Sequence, residues 1–227
     1  MYIDTCTSRC KIYEQIPDGS TVLEIGCADG RLANMLSIKK KCRVYCVEKD
    51  TAMACIAKGK CVEIHKVDIE KTQLPYSEGF FDYVIMGNVL EHMVEPLKVL
   101  KDIRKYLSDD GFLIFSVPNI VNWHSRLTIF FGKFEYAESG VFDRTHLHFY
   151  NLNSAKKLAF DAGYRIVWLD VTPSIYFCKE RLNFLWYRMA VLWKNLFADE
   201  FIIKANKLRW GIVLMSTSDY SLPAAPY

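Results

Sequence analysis

Apolar and polar positions along this chain follow two periods that take turns. Short apolar runs at 21–25, 43–47, 62–67, 81–86 and 112–117 have the length and composition of buried strands. Between them the spacing changes to three and four. Leu32, Ala33, Leu36 and Ile38 predict a helix over 29–38, and Ala52, Ala54, Cys55 and Ile56 predict one over 51–58. Leu97, Leu100, Ile103 and Leu107 predict a third over 96–107, with Lys98, Lys101 and Lys105 on its solvated side and Asp109-Asp110-Gly111 as its stop. A weaker pattern puts a leading helix over 4–16, closed by the turn Pro17-Asp18-Gly19. Strand and helix in alternation predict an α/β fold, a doubly wound parallel sheet with helices on both faces.

After Val117 the alternation fails. Residues 118–164 are far more than a crossover needs, and only 153–162, opened by an Asn or Ser cap and closed by Gly163, reads as the expected helix. The excess, about 119–151, leaves the sheet at its carboxyl edge and is read as a substrate cap. A sixth strand over 165–171 and a seventh over 200–205 flank a Leu-, Phe- and Trp-rich helix over 181–197. That helix has a narrow polar stripe and a wide apolar surface, which fits burial in its own domain, a dimer or partner face, or an interfacial membrane contact. One domain over 1–206 and a loosely ordered tail over 207–227 are expected.

The chemistry is expected where strands end. In TVLEIGCADG, Gly26 stops the first strand and Gly30 opens the helix, an elbow that leaves bare backbone N–H groups beside a ligand. Glu48 ends the second strand 22 residues after Gly26, near the spacing of about 20 at which a carboxylate reaches the ribose of a bound nucleotide. Asp68-Ile69 end the third strand and Gly87-Asn88 the fourth.

The pieces VLEIGCADG, VYCVEKD, VDIEKTQLPY, FDYVIMGNVLEHM and DGFLIFSVPN, in this order over 20–118, resemble the class I S-adenosylmethionine-dependent methyltransferases that act on small molecules. The resemblance implies a seven-stranded Rossmann-like sheet whose last strand is antiparallel and inserts between strands five and six. It implies S-adenosyl-L-methionine as cofactor. Glu24 and the backbone of Gly26, Cys27, Ala28 and Gly30 would face its methionine part, Glu48 the ribose, Asp68 and Ile69 the adenine, with Asn88 at the edge of strand four. The family's middle glycine is Ala28 here, a small obstruction. The G-x-G-x-x-G turn of redox dinucleotide folds is absent.

Composition narrows the partners. Lys plus Arg number 29 against 26 Asp plus Glu, so the net charge of +3 gives no basic footprint for a nucleic acid. No stretch has the roughly 20 apolar residues of a transmembrane segment, and MYIDTCTSRC lacks the order of a secretory signal. Eight cysteines with no C-x-x-C pair point to free thiols and a reducing cytoplasm rather than to zinc.

Displacement of a methyl group from a sulfonium needs an aligned acceptor and, for a hydroxyl acceptor, a base. Of five histidines, His65 lies within a strand and reads as structural, and His124 is open to either role. His92 follows strand four, and His146 and His148 lie in VFDRTHLHFY beside Asp143 and Arg144; if extended, that run would put Thr145, Leu147 and Phe149 on one side and His146, His148 and Tyr150 on the other. His92 or His146 is the expected base. Glu91-His92 with a later histidine also resembles methyltransferases of RNA 3′ ends that hold a divalent metal, but those use a further glutamate where Asn88 stands, and no metal is expected. Residues 115–164 resemble MetW-type proteins and methyltransferases of surface-polysaccharide and glycan assembly, which implies O-methylation of a small polyhydroxylated or glycan-linked acceptor. Trp123, Phe134, Tyr136, Phe142, Phe149 and Tyr150 suit stacking on a sugar, or packing of the cap on itself. The MetW-type likeness also allows a cofactor-binding regulatory partner that docks another enzyme through 181–197.

Overall fold

A strand with apolar residues on both sides needs a helix layer on each, and the chain supplies them in sequence order. The computed structural model describes residues 7–174 and 180–208. Its first half runs α1 (Ser8–Glu14), β1 (Thr21–Ile25), α2 (Arg31–Lys40), β2 (Arg43–Val47), α3 (Thr51–Ala57), β3 (Glu63–His65), β4 (Phe81–Gly87) and α4 (Pro96–Ile103). The second half runs β5 (Leu107–Pro118), α5 (Trp123–Phe130), α6 (Leu152–Asp161), β6 (Tyr164–Pro173), α7 (Glu180–Leu192), α8 (Lys194–Phe197) and β7 (Ala198–Lys207). The seven strands lie in the order β3-β2-β1-β4-β5-β7-β6, with β7 antiparallel to both of its neighbours. This is the sheet, and the inserted last strand, that the resemblance implied.

The period of two sorts the core into two layers. Leu23, Ile25, Val84, Met86, Leu113, Phe115, Phe201 and Ile203 pack on the side of α4 and α6. Val22, Val44, Cys46, Ile85, Ile114 and Ile202 pack on the side of α1 and α2. Glu24 shares the parity of Val22, so it faces α1. That choice of face positions the site described below.

Several expected boundaries move. β3 covers only Glu63–His65 of the run 62–67, because it is the sheet's edge and pairs on one side alone. The third crossover helix stops at Ile103 and tightens into a 3₁₀ turn over Arg104–Tyr106. The buried Tyr106 hydroxyl there accepts from Leu74 N and donates to Leu74 O, and Leu107 already pairs with Phe81. Asp109-Asp110-Gly111 is thus an irregularity inside β5 rather than its start. Only glycine fits at 111, where a Cβ would stand 2.9 Å from Ser108 Oγ and 3.1 Å from Asp82 O. The helix expected over 181–197 is broken at Trp193 into α7 and α8. β7 reaches Lys207, and the tail expected beyond it lies, after Leu208, outside the described residues, as do residues 4–6 of the leading helix.

Phe115 is fully buried in the central strand β5. Phe115→Ala is expected to cost about 3–5 kcal/mol of unfolding free energy, read as a lower urea midpoint.

Candidate functional site

The elbow after β1 is built from backbone that side chains resist. Gly26 and Gly30 both have φ 72° and Ala28 has φ 46°, the left-handed region where an L residue carries strain. A Cβ on Gly26 would overlap Val89 Cγ2 at 2.4 Å, and one on Gly30 would crowd Ala57 at 3.0 Å. A carboxylate ties this turn to the next strand tip. Glu48 Oε2 accepts from Ala28 N at 2.8 Å while its Oε1 accepts from Asp50 N at 2.9 Å.

Beside the elbow lies a crevice of about 150 Å³ whose walls include Ser8, Arg9 and Ile12 of α1 together with Glu24, Gly26, Cys27, Ala28, Gly87 and Asn88. Glu24 is buried at its floor, and its Oε2 has no hydrogen-bond partner. Burial pushes its carboxyl up to about 8, against the pull of the Arg9 cation. A buried acceptor left open suits the ammonium of an amino-acid group, and the Arg9 cation in the same wall suits its carboxylate. The residues present therefore fit the methionine end of the implied cofactor. Gly30, Glu48, Asp68 and Ile69 are not among the walls of this crevice. Asp68 Oδ1 accepts from Glu70 N at 3.0 Å, and Ile69 is half-buried against the core.

Further along the same edge Asn88, at φ 52°, is clamped from two strands. Its Oδ1 accepts from Ser116 Oγ at 2.8 Å and its Nδ2 donates to Glu200 Oε1 at 2.7 Å. Glu91 is buried with Oε2 unpartnered, and burial pushes its carboxyl up to about 8. Its backbone oxygen accepts from Leu147 N and His148 N at 2.7 and 3.1 Å, which draws the segment 143–148 over the strand-four tip.

That segment is a turn, so the two-sided arrangement an extended run would give does not form. Asp143 Oδ1 accepts from Thr145 N and from Thr145 Oγ1 at 2.8 and 2.6 Å, and His146 N donates to Asp143 O. Thr145 and His146 therefore converge on His92 together instead of pointing apart. The two imidazoles meet edge to face with centroids 4.8 Å apart. His92 Nδ1 lies 3.2 Å from Thr145 O and 3.0 Å from Thr145 Oγ1, whose hydrogen goes to Asp143; Nδ1–H is thus the donor and Nε2 keeps the lone pair. His146 Nδ1 donates to Val141 O at 3.1 Å, with the same result. Burial holds His92 below the usual imidazole range, and the Thr145 hydrogen bond holds the Asp143 carboxyl below its own. Glu91, His92 and His146 each bring one donor atom within 4.8 Å of the others, a set that can hold a divalent cation.

The remaining histidines divide. His65 Nε2 pairs with Tyr76 OH at 2.7 Å, as a structural residue would, His148 lies against Val94 O, and His124 is exposed on α5. Sequence reasoning missed Arg9, Glu200 and the linking role of Thr145. Nothing in local spacing marks Glu200, which is 112 residues from Asn88.

Comparison with known proteins adds the following. The model of the family described as methionine biosynthesis protein MetW matches residues 8–204. The chain is 33% identical over 104 residues to (S)-coclaurine N-methyltransferase of Papaver somniferum, covering 44% of this chain and 30% of that enzyme. It is 24% identical to demethylmenaquinone methyltransferase of Listeria welshimeri, covering 67% and 73%. The chain spans 30% to 53% of the length of the curated relatives it matches first. Among solved structures, a SAM-dependent methyltransferase from Archaeoglobus fulgidus superposes with a TM-score of 0.64 at 18% identity, covering 88% of this chain and 92% of that one. The [4+2]-cyclase SpnF superposes at 0.62 with 17% identity, over 88% and 80%. The fold is that of the class I methyltransferases, and SpnF is a reminder that this sheet carries more than one chemistry.

Two outcomes follow from the site. Glu24 and Glu91 are raised above their ordinary 4.5, so the stability they contribute is complete below about pH 4.5 and is lost as pH rises through about 8. Glu91→Gln should flatten that decline in urea midpoints measured from pH 5 to 9. Ala28→Gly should relieve the left-handed strain and raise stability by about 1 kcal/mol in the same assay.

Proposed function

The chain belongs to the MetW family, and from that premise we propose that it is an S-adenosylmethionine-dependent methyltransferase that O-methylates a small polyhydroxylated or glycan-linked acceptor in the cytoplasm. The observation that carries this reading is the buried, unpartnered Glu24 Oε2 at the floor of the crevice against the Gly26 turn. The names of the relatives, methyltransferases acting on different acceptors, support the reaction class and leave the acceptor open.

In this reading Glu24, Arg9 and the close-approach turn from Gly26 to Gly30 would hold the amino-acid end of the cofactor, which would supply a methyl group already activated on a sulfonium. Glu48 keeps a second lone pair on each oxygen and takes the ribose hydroxyls, while Asp68 and Ile69, past the tip of β3, border the adenine. Asn88, fixed by Ser116 and Glu200, marks the edge where methyl and acceptor meet. The protein's own part in the transfer would be removal of a proton: Nε2 of His92, or the same atom of His146, would accept the proton of the acceptor hydroxyl. A depressed pKa keeps His92 unprotonated and ready at neutral pH. α5 and the loop 131–150 cover the acceptor as a cap on a single domain over 1–206, and no metal takes part. A second reading, a cofactor-binding partner that regulates another enzyme through the α7 region, is favoured by the family match alone.

Calorimetric titration with S-adenosylhomocysteine above pH 8, where the Glu24 carboxyl is ionised, should give binding that Glu24→Gln weakens at least about tenfold, since it removes a charge-assisted contact. With radiolabelled cofactor and fractionated glycans, His92→Ala or His146→Ala should lower turnover by about 10²–10⁴ while leaving cofactor affinity unchanged. The rate should fall on acidification with its midpoint below the ordinary 6.5 of histidine. A chelator should leave the rate intact; loss restored by Mg²⁺ or Mn²⁺ would assign Glu91, His92 and His146 to a cation instead. Cofactor binding without transfer, together with a stable complex with another enzyme, would favour the regulatory reading.

A further inference from the structure

Exposed apolar surface is not spread evenly over this molecule. Of the twenty large apolar side chains exposed among the described residues, ten lie in two 14-residue segments, 123–136 and 184–197. Two adjacent pairs stand out, Phe130 and Phe131 at 80% and 69%, just past the middle of the first segment, and Leu192 and Trp193 at 71% and 59%, at the end of α7. Singly exposed apolar residues need no explanation, but a concentration of this kind does.

The first segment begins, and the second ends, at one corner of the sheet's carboxyl edge. Trp123 Nε1 donates to Ser174 Oγ at 2.9 Å, Asn122 Nδ2 to Asp199 Oδ1 at 3.3 Å, and Asn119 Nδ2 to the backbone oxygens of Asn195 and Ala198 at 3.2 and 2.8 Å. The candidate base His92 and the clamped Asn88 stand on that same edge.

Charge distinguishes these segments from the rest of the chain. They carry Arg126, Lys133, Arg188 and Lys194 against the single acid Glu135, a balance of +3 with His124 neutral. That equals the net charge of the entire chain, so all its other residues sum to zero. None of the four basic groups is ion-paired among the described residues. A second copy of the chain would set two such surfaces of like sign against each other. Phe and Trp tips with Lys and Arg beside them are instead the composition of an element that lies in the boundary of an anionic bilayer, rings in the acyl region and ammonium groups at the phosphates. No helix here is long and apolar enough to cross a membrane.

We propose that segments 123–136 and 184–197 form a peripheral docking surface for anionic lipid. On the proposed function, which this consequence alone rests on, the acceptor would then be presented at the bilayer, its polar head at the edge that carries His92 and its apolar part left in the lipid. Docking itself needs no methyl transfer, so the two can fail separately.

Flotation of the full chain with phosphatidylcholine vesicles, pure or containing about 30 mol% phosphatidylglycerol, tests the docking. Partition onto the anionic vesicles should exceed that onto neutral ones by about tenfold and collapse in about 0.5 M salt. Phe130→Ser with Phe131→Ser, and separately Leu192→Ser with Trp193→Ser, should each lower it about fivefold or more. These side chains are largely exposed, so unchanged circular dichroism and urea midpoints are expected and confirm that the variants fold. A blue shift of tryptophan emission on adding anionic vesicles, lost in the Trp193 variant, reads insertion directly. Equal recovery on both vesicle types, absence of binding at low salt, or variants that bind like the parent would each overturn the proposal. So would a stable dimer or soluble complex that protects Phe130 and Trp193 while vesicles do not.

Discussion

One carboxylate decides whether this edge of the sheet is a site at all. Glu48 takes hydrogen bonds from Ala28 N and Asp50 N, and so fixes the tip of β1 to the tip of β2. The turn it holds contains three residues at positive φ, one of them an alanine, and a turn of that kind persists only where its surroundings over-determine it. Close contact of Gly26 with Val89 and of Gly30 with Ala57 completes the restraint, because neither position has room for a side chain. The turn is thereby held in shape beside the crevice before any ligand arrives, which removes part of the ordering cost of binding.

Around this restraint the protein concentrates acids it does not fully satisfy. Glu24 and Glu91 are buried with an oxygen unpartnered, and burial pushes Asp199 up to about 6. Stability alone would remove such groups, since an unmade hydrogen bond at a buried polar atom costs about 1–3 kcal/mol. Groups of this kind along one edge make it the candidate for ligand contact, because a bound polar group would give each open oxygen a partner. Glu200 contributes differently. It spends an oxygen on Asn88, and so links the antiparallel β7 to the tip of β4.

The second half of the chain supplies what the sheet lacks. Asp143 folds its own segment into a turn, that turn delivers Thr145 and His146 to His92, and backbone contacts to Glu91 O pin the segment to the strand-four tip. The same insertion carries the exposed Phe130 and Phe131, so one excursion from the sheet holds the candidate proton acceptor and the apolar rim together. Such a division, a rigid sheet for the shared half of the chemistry and a loop for the particular half, is how one fold comes to serve many substrates.

Local pattern was enough for the alternation of strand and helix and for the candidate residues at the strand ends. Strand and helix periods, the glycines of the elbow and the polar residue at each strand end depend on neighbours in sequence, so the chain alone determined the alternation and the positions of Glu24, Gly26, Glu48 and Asn88. Boundaries at Leu107 and Trp193 escaped because packing of Tyr106 and the turn into β7 set them, not propensity. The face that receives Glu24, the union of His92 with residues 53 positions later and of Asn88 with Glu200, and the exposure of one side of α7 were left to the tertiary structure. Convergence of distant segments is a property of how loops are folded back and which layers are covered, and no short window of sequence contains that information.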